Sequence, residues 1–213
     1  MRYFSPGAAA DRIRTGGGAG AGPAPPAWDP IVLEYCLIAT TVGPIGLAWS
    51  EAGLLRLQLP MEDGATTRER LLRRLKEPVE GHPPPWLEPA VARLQAYFNG
   101  TRVDFSEVPI DFGKASEFFQ KVYGETRKLG WGEIATYGEL AGRLESPGAA
   151  QAVGQAMGRN PVPIIVPCHR VLASGNKIGG FSAPGGIRSK LYLLDLEGVR
   201  LSASNPAQQS FAF

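Results

Sequence analysis

The sequence is poor in the residues that most often reveal a metal site or a disulfide framework. Its 213 residues include 2 Cys and 2 His, and Cys36, His82, Cys168 and His169 do not follow the compact spacing of zinc ligands. The 22 Lys and Arg residues nearly balance the 20 Asp and Glu residues, for a net charge of +2. Overall charge therefore does not indicate a nucleic-acid-binding protein, although it leaves room for a local basic face. We expect no metal ion.

Long apolar runs are also missing. No stretch approaches the roughly 20 apolar residues of a membrane span, and the first residues lack the apolar core of a secretory signal. With only two cysteines and no secretory signal, the sequence favours a reducing compartment. We therefore expect a cytoplasmic protein, in the bacterial cytosol or nucleoid, without disulfides or membrane contact.

The composition changes sharply near residue 30. Residues 1–30 are rich in Gly, Ala and Pro and contain too few large apolar side chains to form a core, so we predict a disordered tail. Three arginines in this stretch are compatible with a transit peptide, but the glycines and prolines would break the amphipathic helix that such a signal needs. Residues 201–213 are predicted to form a second disordered tail.

Residues 31–112 have the pattern of a small α+β domain. Three short apolar stretches (31–39, 45–49 and 54–59) alternate with Gly- and Ser-containing turns, which predicts an antiparallel meander. Thr66 and Glu69 have the spacing of a capping box for a short helix. A second helix is predicted near residues 87–98 with Leu87, Val91, Leu94 and Phe98 on its core face, and residues 103–112 are compatible with a strand and a linker.

Residues 113–200 are mainly helical and have clearer start signals. Ser116 is a possible N-cap of the first helix, and Thr136 with Glu139 forms a capping box for the second. Ser146 and Pro147 are the preferred residue types at the N-cap and first position of a third helix. The short turn between the second and third helices predicts a helix-turn-helix unit.

The third helix of this half has a face of very small side chains. Tight packing against another helix explains such a face, and so does close approach to a nucleic-acid groove, where helix N-termini and short polar groups contact phosphates. Long polar side chains suited to reading the major groove are few, so minor-groove contact fits better. The small residues are Ala149, Ala150, Ala152 and Gly154.

Cys168 and His169 are the candidate chemical residues. The β-branched run 164–166 lies between two prolines and predicts a buried strand that ends at Cys168. A thiol becomes nucleophilic when a neighbouring base favours its thiolate, and His169 is such a base; a buried structural cysteine is an equally compatible interpretation. Glu197 ends the last predicted helix, whose core face is predicted to hold Ile187, Leu191 and Leu194. A carboxylate opposes the helix dipole there, so a partner such as His169 is expected.

The segment Pro167-Cys168-His169-Arg170-Val171 resembles the active-site block of the O6-alkylguanine-DNA alkyltransferases. Asn160-Pro161 and the small-residue helix precede it, and a Gly-rich loop and Leu-Glu-Gly follow it, as in that family. The resemblance covers roughly residues 33–199 and is strongest in the second half. It implies an α+β protein with a ribonuclease-H-like N-terminal domain (31–112) and a helical DNA-binding, alkyl-accepting domain (113–200).

The resemblance also implies a function. Members of this family flip an alkylated guanine out of the duplex through the minor groove and move its alkyl group irreversibly to a cysteine in a single turnover. The expected partner is double-stranded DNA that contains O6-alkylguanine, with O4-alkylthymine as a possible second substrate. No cofactor is expected, and the protein is expected to act as a monomer.

Site residues follow from the resemblance position by position. Cys168 accepts the alkyl group, His169 removes its proton through a water molecule, and Glu197 orients His169. Asn160 braces the site, and Tyr137 crowds the 3′ phosphate of the rotating nucleotide. The residues assigned to DNA and the flipped base are Gln151, Ala149, Ala150, Ala152, Gly154, Arg170, Phe181 and Ser182.

Gln151 departs from the family pattern, because most members carry an arginine at this position. A glutamine can still hydrogen-bond the orphaned base, but it is shorter and uncharged and stacks less well than a guanidinium. Two alternatives to repair therefore stay open. One is a hydrolase or acyltransferase that uses the same Cys, His and Glu, and the other is a damage sensor with weak transfer.

Overall fold

The structure, a computed structural model, describes residues 33–73 and 75–201. The two segments predicted to be disordered, 1–30 and 201–213, lie outside these residues except for Leu201. Residues 33–201 belong to one compact unit. Within the described part of the chain, no helix is both long and apolar enough to cross a membrane.

The first half is built on a four-stranded sheet. Strands β1 (Glu34–Thr40), β2 (Gly43–Ser50) and β3 (Gly53–Gln58) pair antiparallel in sequence order, which confirms the predicted meander. The short strand β4 (Val79–Glu80) adds to the open side of β1 in parallel, so the spatial order is β3-β2-β1-β4. The sheet is therefore antiparallel except at this edge.

Two helices accompany the sheet. Helix α1 (Gly64–Leu72) begins differently from the prediction, because its N-cap is Asp63, whose side chain accepts from the Thr66 backbone N–H; the predicted Thr66–Glu69 capping box is wrong. Helix α2 spans Glu88–Phe98. The strand predicted within residues 103–112 is also wrong, since this segment is irregular and makes a single bridge from Ile110 to Leu54.

The second half contains four α-helices. Helix α3 (Glu117–Arg127) has Ser116 as its N-cap, as predicted. Strand β5 (Ala135–Thr136) leads into helix α4 (Tyr137–Arg143), where the capping box of Thr136 and Glu139 is confirmed by both of its hydrogen bonds. Helix α5 spans Ala150–Gly158.

Helix α5 begins later than predicted. Its N-cap is Ala149, which has no capping side chain, and residues 147–149 form a turn closed by the bond from Ala149 N–H to the Ser146 carbonyl. Ser146 and Pro147 therefore start the turn rather than the helix. Helices α4 and α5 still pack on each other as the predicted helix-turn-helix pair.

The segment before the candidate cysteine is a tight turn, not the predicted strand. Val166 N–H donates to the Val162 carbonyl over 2.9 Å, and Ile164 has φ of +74°, a left-handed conformation that ends any extended run. Ile164 and Ile165 are nevertheless buried, each 2 % exposed. The apolar pattern of residues 164–166 predicted their burial correctly and their backbone conformation wrongly. An apolar run alone does not distinguish a buried strand from a buried turn.

After this turn the chain forms a 3-10 helix (Cys168–Arg170), strand β6 (Val171–Leu172), which pairs in parallel with β5, and a second short turn (Ser174–Asn176). Helix α6 follows (Ile187–Leu196). Its predicted core face is wrong in part, because Ile187 is 49 % exposed and Leu191 only half-buried. The buried residues of α6 are Ser189, Lys190, Leu193 and Leu194.

One hydrophobic cluster spans both halves. It joins Leu47 and Leu54 of the sheet, Leu94 of α2, Val122 of α3 and Cys168. Backbone contacts reinforce it, since Leu57 N–H donates to the Pro161 carbonyl over 3.0 Å. The segment that carries the cysteine is thus supported by the first half as well as the second.

Candidate active site

Cys168 lies at the start of the 3-10 helix, immediately after Pro167. Adjacent residues of a strand point to opposite faces, whereas successive residues of a 3-10 turn are rotated by only about a third of a turn. Cys168 is 6 % exposed, and His169 is fully buried. Both residues are therefore part of a folded segment rather than an extended one.

Asn160 holds the turn that precedes Cys168. Its side-chain amide donates to the Val166 carbonyl over 2.8 Å and its side-chain oxygen accepts from the Val162 backbone N–H over 3.0 Å. The Cys168 N–H donates to the same Val166 carbonyl over 2.8 Å. The geometry is compatible with the bracing role predicted for Asn160.

Glu197 is the acceptor at the centre of the site. It caps the C-terminal end of α6, and its Oε1 lies 2.8 Å from His169 Nε2. Arg170 donates from Nε to Oε2 and from Nη2 to Oε1, both over 2.8 Å. The helix dipole disfavours a carboxylate at this end, and these two residues, both in the 3-10 helix, compensate for it.

The first half of the chain also contributes to this network. The Tyr97 hydroxyl, on α2, donates to Glu197 Oε1 over 2.7 Å, and Tyr97 is fully buried. The backbone N–H of Gly132 donates to Oε2 over 3.2 Å. A carboxylate that accepts several charge-assisted and neutral hydrogen bonds stays ionised in a buried site.

The titration of this pair is set by burial and by its partners. Burial alone would raise the pKa of Glu197, but the hydrogen bonds and charges of His169 and Arg170 outweigh it and lower that pKa. Burial lowers the pKa of His169 despite its bond to Glu197. His169 is therefore a neutral imidazole whose Nε2 carries the proton donated to Glu197.

The other ring nitrogen of His169 is the basic one. Nδ1 is buried and has no hydrogen-bond partner within the described residues. Because Nε2 is protonated, Nδ1 holds the free lone pair and can accept a proton. A buried acceptor of this kind next to a thiol is the arrangement expected of a general base.

The Cys168 thiol is not activated by its surroundings alone. Burial raises its pKa, while a hydrogen bond with Asn160, the positive charge of Lys190 and two backbone N–H groups lower it, and burial prevails. Cys168 is thus a protonated thiol at neutral pH and needs a base to become a nucleophile.

A cavity of about 390 Å³ opens beside Cys168. This volume falls within the range of roughly 300–1,000 Å³ typical of small-molecule sites. Tyr137, Gly154, Phe181 and Ser182 are among the residues that line it. A Cβ added to Gly154 would lie 4.0 Å from the Tyr137 ring, an ordinary van der Waals contact.

A wider groove of about 970 Å³ also reaches Cys168 and Ser182. It runs along β3 and the segment after it, then past residues 111–114 and 158–163. Most of its lining is uncharged, but among the charged residues described there cations outnumber the single carboxylate, Asp111. The cationic residues that line it are Arg56, Arg70, Lys76, Lys114 and Arg159.

The residues predicted to contact DNA fall into two groups. Gln151 is exposed on α5, and Ala149, Ala150, Ala152 and Gly154 are half-buried. Arg170 is different, because it is 6 % exposed and its guanidinium is engaged by Glu197 and by the Leu129 carbonyl. The prediction that Arg170 contacts DNA is therefore corrected: the structure places its side chain in the interior ion-pair network.

Two residues of the site were not found from the sequence. Tyr97 lies 100 residues from Glu197 along the chain, and no local pattern could connect them. Lys190 was within reach, because it precedes Glu197 by two helical turns and therefore shares its face of α6. Lys190 also lies at helical spacing from Ile187 and Leu194 of the predicted core face, but lysine is rarely buried and was not expected in the core.

Within the described residues, no group of three or more His, Cys, Asp and Glu side chains could hold a metal ion. Both cysteines are free.

Two family models match almost all of the described chain. The model described as "6-O-methylguanine DNA methyltransferase, ribonuclease-like domain" matches residues 33–112, and "6-O-methylguanine DNA methyltransferase, DNA binding domain" matches residues 117–199. The methylated-DNA--protein-cysteine methyltransferases of Mycobacterium bovis and Mycobacterium tuberculosis are 37 % identical over 175 residues, covering 81 % of this chain and 96 % of theirs.

Solved structures agree. The Mycobacterium tuberculosis OGT in complex with DNA superposes with a TM-score of 0.64 at 35 % identity, covering 77 % of this chain and 92 % of that one. The O6-methylguanine-DNA methyltransferase from Pyrococcus kodakaraensis superposes with a TM-score of 0.59 at 27 % identity, covering 79 % of this chain and all of that one.

Proposed function

The chain belongs to the 6-O-methylguanine DNA methyltransferase family, and on that premise we propose that it repairs DNA by moving an alkyl group from guanine O6 to Cys168. The proposal extends to thymine O4 as a second substrate. The observation that carries the proposed residue roles is the buried pair of Glu197 and His169, whose Oε1 and Nε2 atoms are 2.8 Å apart. His169 Nδ1 has no hydrogen-bond partner within the described residues. His169 directly follows Cys168, which lines the base-sized cavity.

The first step of the proposed reaction forms the thiolate. His169 Nδ1 takes the thiol proton of Cys168 through one water molecule, and the resulting imidazolium is stabilised by the Glu197 carboxylate. Arg170 and Tyr97 keep that carboxylate ionised and fixed in place. This division of roles requires a neutral His169, which agrees with its lowered pKa.

The second step transfers the alkyl group. The thiolate sulfur attacks the alkyl carbon in line, the S–C bond forms, and the C–O6 bond breaks with its electron pair moving to guanine. The departing guanine anion then takes up one proton, so the thiol proton lost by Cys168 is balanced by the proton gained by guanine. Burial and the nearby Cys168 charge raise the pKa of Tyr137, so its hydroxyl stays protonated and can donate to the developing charge.

The proposed DNA contact uses the helix-turn-helix pair α4 and α5. The small residues of α5 permit a close approach to the minor groove, and Gln151 lies where it can enter the stack in place of the flipped base. Tyr137, Phe181 and Ser182 line the cavity; Tyr137 is proposed to crowd the 3′ phosphate, and Phe181 with Ser182 to enclose the base. Asn160 holds the Cys168 turn in register.

The proposed reaction needs no cofactor, because the thiol and the alkylated guanine together account for every bond that forms or breaks and for the proton that moves. All proposed site groups come from one chain, so we propose a monomer acting on double-stranded DNA. The two domains of the proposal are residues 31–112 and 113–200. Since the acceptor must be a free thiol, the reducing bacterial cytosol is the proposed compartment.

A mass measurement tests the proposal. The full chain is incubated with duplex DNA bearing one O6-methylguanine, and the peptide containing Cys168 is weighed after proteolysis. We expect one added methyl group per chain, no further turnover, and loss of the adduct in Cys168→Ala. Cys36→Ala is the matched control, because Cys36 is also buried and free but lies in β1.

Two further measurements on the same protein, of ester hydrolysis and of binding to the modified duplex, separate the two alternatives. Sustained hydrolysis of an ester substrate without an adduct would indicate a Cys-His-Glu hydrolase. Tight binding of the modified duplex with neither adduct nor hydrolysis would indicate a damage sensor. Either result would overturn the proposed transfer to Cys168.

A further inference from the structure

The wide groove of about 970 Å³ takes no part in the proposed reaction, although it borders the proposed alkyl acceptor. The groove and the base-sized cavity have Gly158, Cys168 and Ser182 in common as lining residues. Away from Cys168, the groove is lined by strand β3, by Arg70 of α1 and by residues 111–114. It therefore extends from the reacting cysteine to the first half of the chain.

Positive charge predominates among the ionised groups of the wide groove. Arg70, Lys76, Lys114 and Arg159 line it and are exposed, and no ion pair found in the described part of the chain includes any of them. The fifth cation, Arg56, is half-buried and donates to a backbone carbonyl. The four exposed cations are thus not committed to a carboxylate of the protein.

The single carboxylate of the lining is held by the protein itself. Asp111 Oδ2 accepts from the Ser50 hydroxyl over 2.6 Å, and its Oδ1 accepts from the Gly113 backbone N–H over 2.8 Å. Asp111 therefore has a structural role in the turn that precedes Lys114, and it offsets only one of the five positive charges.

The charge and the size of the wide groove favour a single strand of nucleic acid. Lys and Arg side chains neutralise phosphates and release their counterions, which is the main source of sequence-independent affinity. A volume of about 970 Å³ is at the top of the range typical of small-molecule sites, so it suits a few nucleotides and not a duplex. Phe112, which is half-buried in the lining, provides an aromatic contact for a base.

An acidic peptide has the same sign of charge as a nucleic acid. The observation that favours DNA is the position of the groove, because it borders Cys168, the residue proposed to react with a nucleotide. A strand whose alkylated nucleotide occupies the cavity has its neighbouring phosphates close to the groove.

We propose that the wide groove binds an unpaired DNA strand, with the phosphates next to the alkylated nucleotide lying along its exposed cations. This inference rests on the proposed function of Cys168 and extends the substrate class to alkylguanine in single-stranded DNA. The S–C bond forms and the C–O6 bond breaks as in duplex DNA, and guanine gains one proton for the proton that the thiol loses. An unpaired guanine does not have to leave a duplex, so Gln151 is no disadvantage for this substrate.

Two triple variants of the full chain test the groove. The groove variant combines Arg70→Met, Lys76→Met and Lys114→Met. The control variant replaces by methionine three exposed cations that do not line the groove, namely Arg68, Arg102 and Lys121. Arg159 stays in both, since its guanidinium also lies 5.7 Å from the centre of the Phe119 ring. Binding of a fluorescent, unmodified oligothymidylate of about 12 nucleotides is measured by anisotropy from about 50 to 200 mM salt.

The slope of log K against log salt should become shallower by about 2 in the groove variant, since each lost phosphate contact removes about 0.7. Affinity at the lowest salt concentration should fall about tenfold. The control variant should change the slope by less than one contact. A groove variant with an unchanged slope, or an equal change in both variants, would overturn the proposal. Displacement of the labelled strand by an oligoglutamate as readily as by unlabelled DNA would also overturn it and assign the groove to an acidic peptide.

Transfer to Cys168 separates binding of the strand from the chemical step. With O6-methylguanine in a single strand, the groove variant should need about tenfold more DNA to reach half of its maximal rate. The maximal rate itself, and the rate of transfer from free O6-benzylguanine, which has no phosphates, should stay within about twofold of the natural protein. An equal loss of rate on both substrates would contradict a role in strand binding.

Photo-crosslinking of the natural protein tests the groove without any substitution in it. A single strand with 5-iododeoxyuridine on either side of the modified guanine should crosslink to peptides that contain residues 55–59 or 111–114. Crosslinks confined to α4 and α5 would overturn the proposal. A missing methyl adduct on Cys168 would instead overturn the proposed function, because anisotropy with the unmodified strand reports on the groove independently.

Discussion

Glu197 shows how much of the site depends on one side chain. It accepts hydrogen bonds from His169, Arg170, Tyr97 and the backbone of Gly132, so it orients the proposed base and neutralises a buried guanidinium. From sequence, Glu197 was expected to need a cationic partner because it ends a helix. The expected partner, His169, does bond Glu197, but the cation that compensates its charge is mainly Arg170. The charge argument was therefore right, and the predicted set of partners lacked Arg170.

Glu197→Gln should impair both stability and transfer. The substitution keeps the shape of the side chain but leaves Arg170 as an uncompensated buried charge, so we expect the free energy of unfolding to fall by about 3 kcal/mol. Alkyl transfer to Cys168 should fall at least tenfold, because His169 loses its carboxylate. Urea denaturation and single-turnover kinetics measure the two effects.

Glu117→Gln is the control for this prediction, since Glu117 pairs with Lys121 at an exposed position of α3 and its loss should change stability little. Equal destabilisation by the two substitutions would contradict the central position assigned to Glu197.

Gln151→Arg should speed repair of duplex DNA. An arginine at this exposed position of α5 supplies a cationic stacking surface for the orphaned base, so the transfer rate from methylated duplex should rise more than the rate from free O6-benzylguanine, which needs no base flipping. Gln155→Arg adds the same charge one helical turn further along at another exposed position. Equal gains on both substrates, or an equal gain from Gln155→Arg, would show that Gln151 does not limit flipping.

At the scale of elements, the turn before Cys168 replaces the predicted strand. Ile164 adopts φ of +74° although a β-branched residue rarely does so, and its side chain is buried. The turn brings Val162 and Val166 together and allows Asn160 to bond both of them. Backbone strain at Ile164 is compensated by this burial and by the hydrogen bonds that cross the turn.

Glycine and alanine substitutions test this strain. At Ile164 the left-handed backbone favours glycine, so Ile164→Gly should be more stable than Ile164→Ala by about 1 kcal/mol. At Ile165, which is equally buried and has no positive φ, Ile165→Ala should be more stable than Ile165→Gly by about 0.5–1 kcal/mol. Thermal or urea unfolding of the four variants measures both differences, and the same order at both positions would refute the strained turn.

At the scale of the whole molecule, the two halves of the chain share the site. Tyr97 on α2 donates to Glu197, and Arg127 of α3 donates to the carbonyls of Phe105, Ser106 and Val108 in the segment that leads out of the first half. The first half therefore does more than support the second. It supplies the buried Tyr97 hydroxyl that donates to Glu197.

The stability of the whole chain should fall as the solution becomes mildly acidic. The pKa of His169 is lowered in the folded state from its ordinary 6.5, so below about pH 6.5 the unfolded chain binds a proton that the folded chain does not. The contribution of His169 to the free energy of unfolding is therefore fully present above pH 6.5 and is lost as the pH decreases. We expect a loss of about 1 kcal/mol between pH 7.5 and 5.5, measured by urea unfolding.

His169→Gln is the control, because it removes the titrating ring and should flatten this part of the pH dependence. A natural protein that is as stable at pH 5.5 as at 7.5, or an unchanged slope in His169→Gln, would contradict the neutral, buried state of His169.

Much of the molecule could be predicted from local pattern. The meander of β1 to β3, the Ser116 N-cap and the capping box of Thr136 and Glu139 all follow from residues within a few positions of one another. The errors have different causes. The turn at 162–166 contains buried residues whose local preferences were outweighed by packing, and the irregular segment at 103–112 buries only Phe105 and Val108. The late start of α5 has a local cause, because Gly148 takes φ of +91° in the turn before the helix.

The sequence by itself predicted the chemistry of the site, from Cys168 and His169 in the Pro-Cys-His-Arg block and from Glu197 at the end of the last helix. Only the tertiary structure decided which groups control that chemistry. It turned Arg170 inward, brought Tyr97 to Glu197, and buried Lys190 between Val171 and Gly180. The physical reason is that hydrogen bonds and charges act through space over a few ångströms, whereas a sequence pattern reports only the residues that are near along the chain.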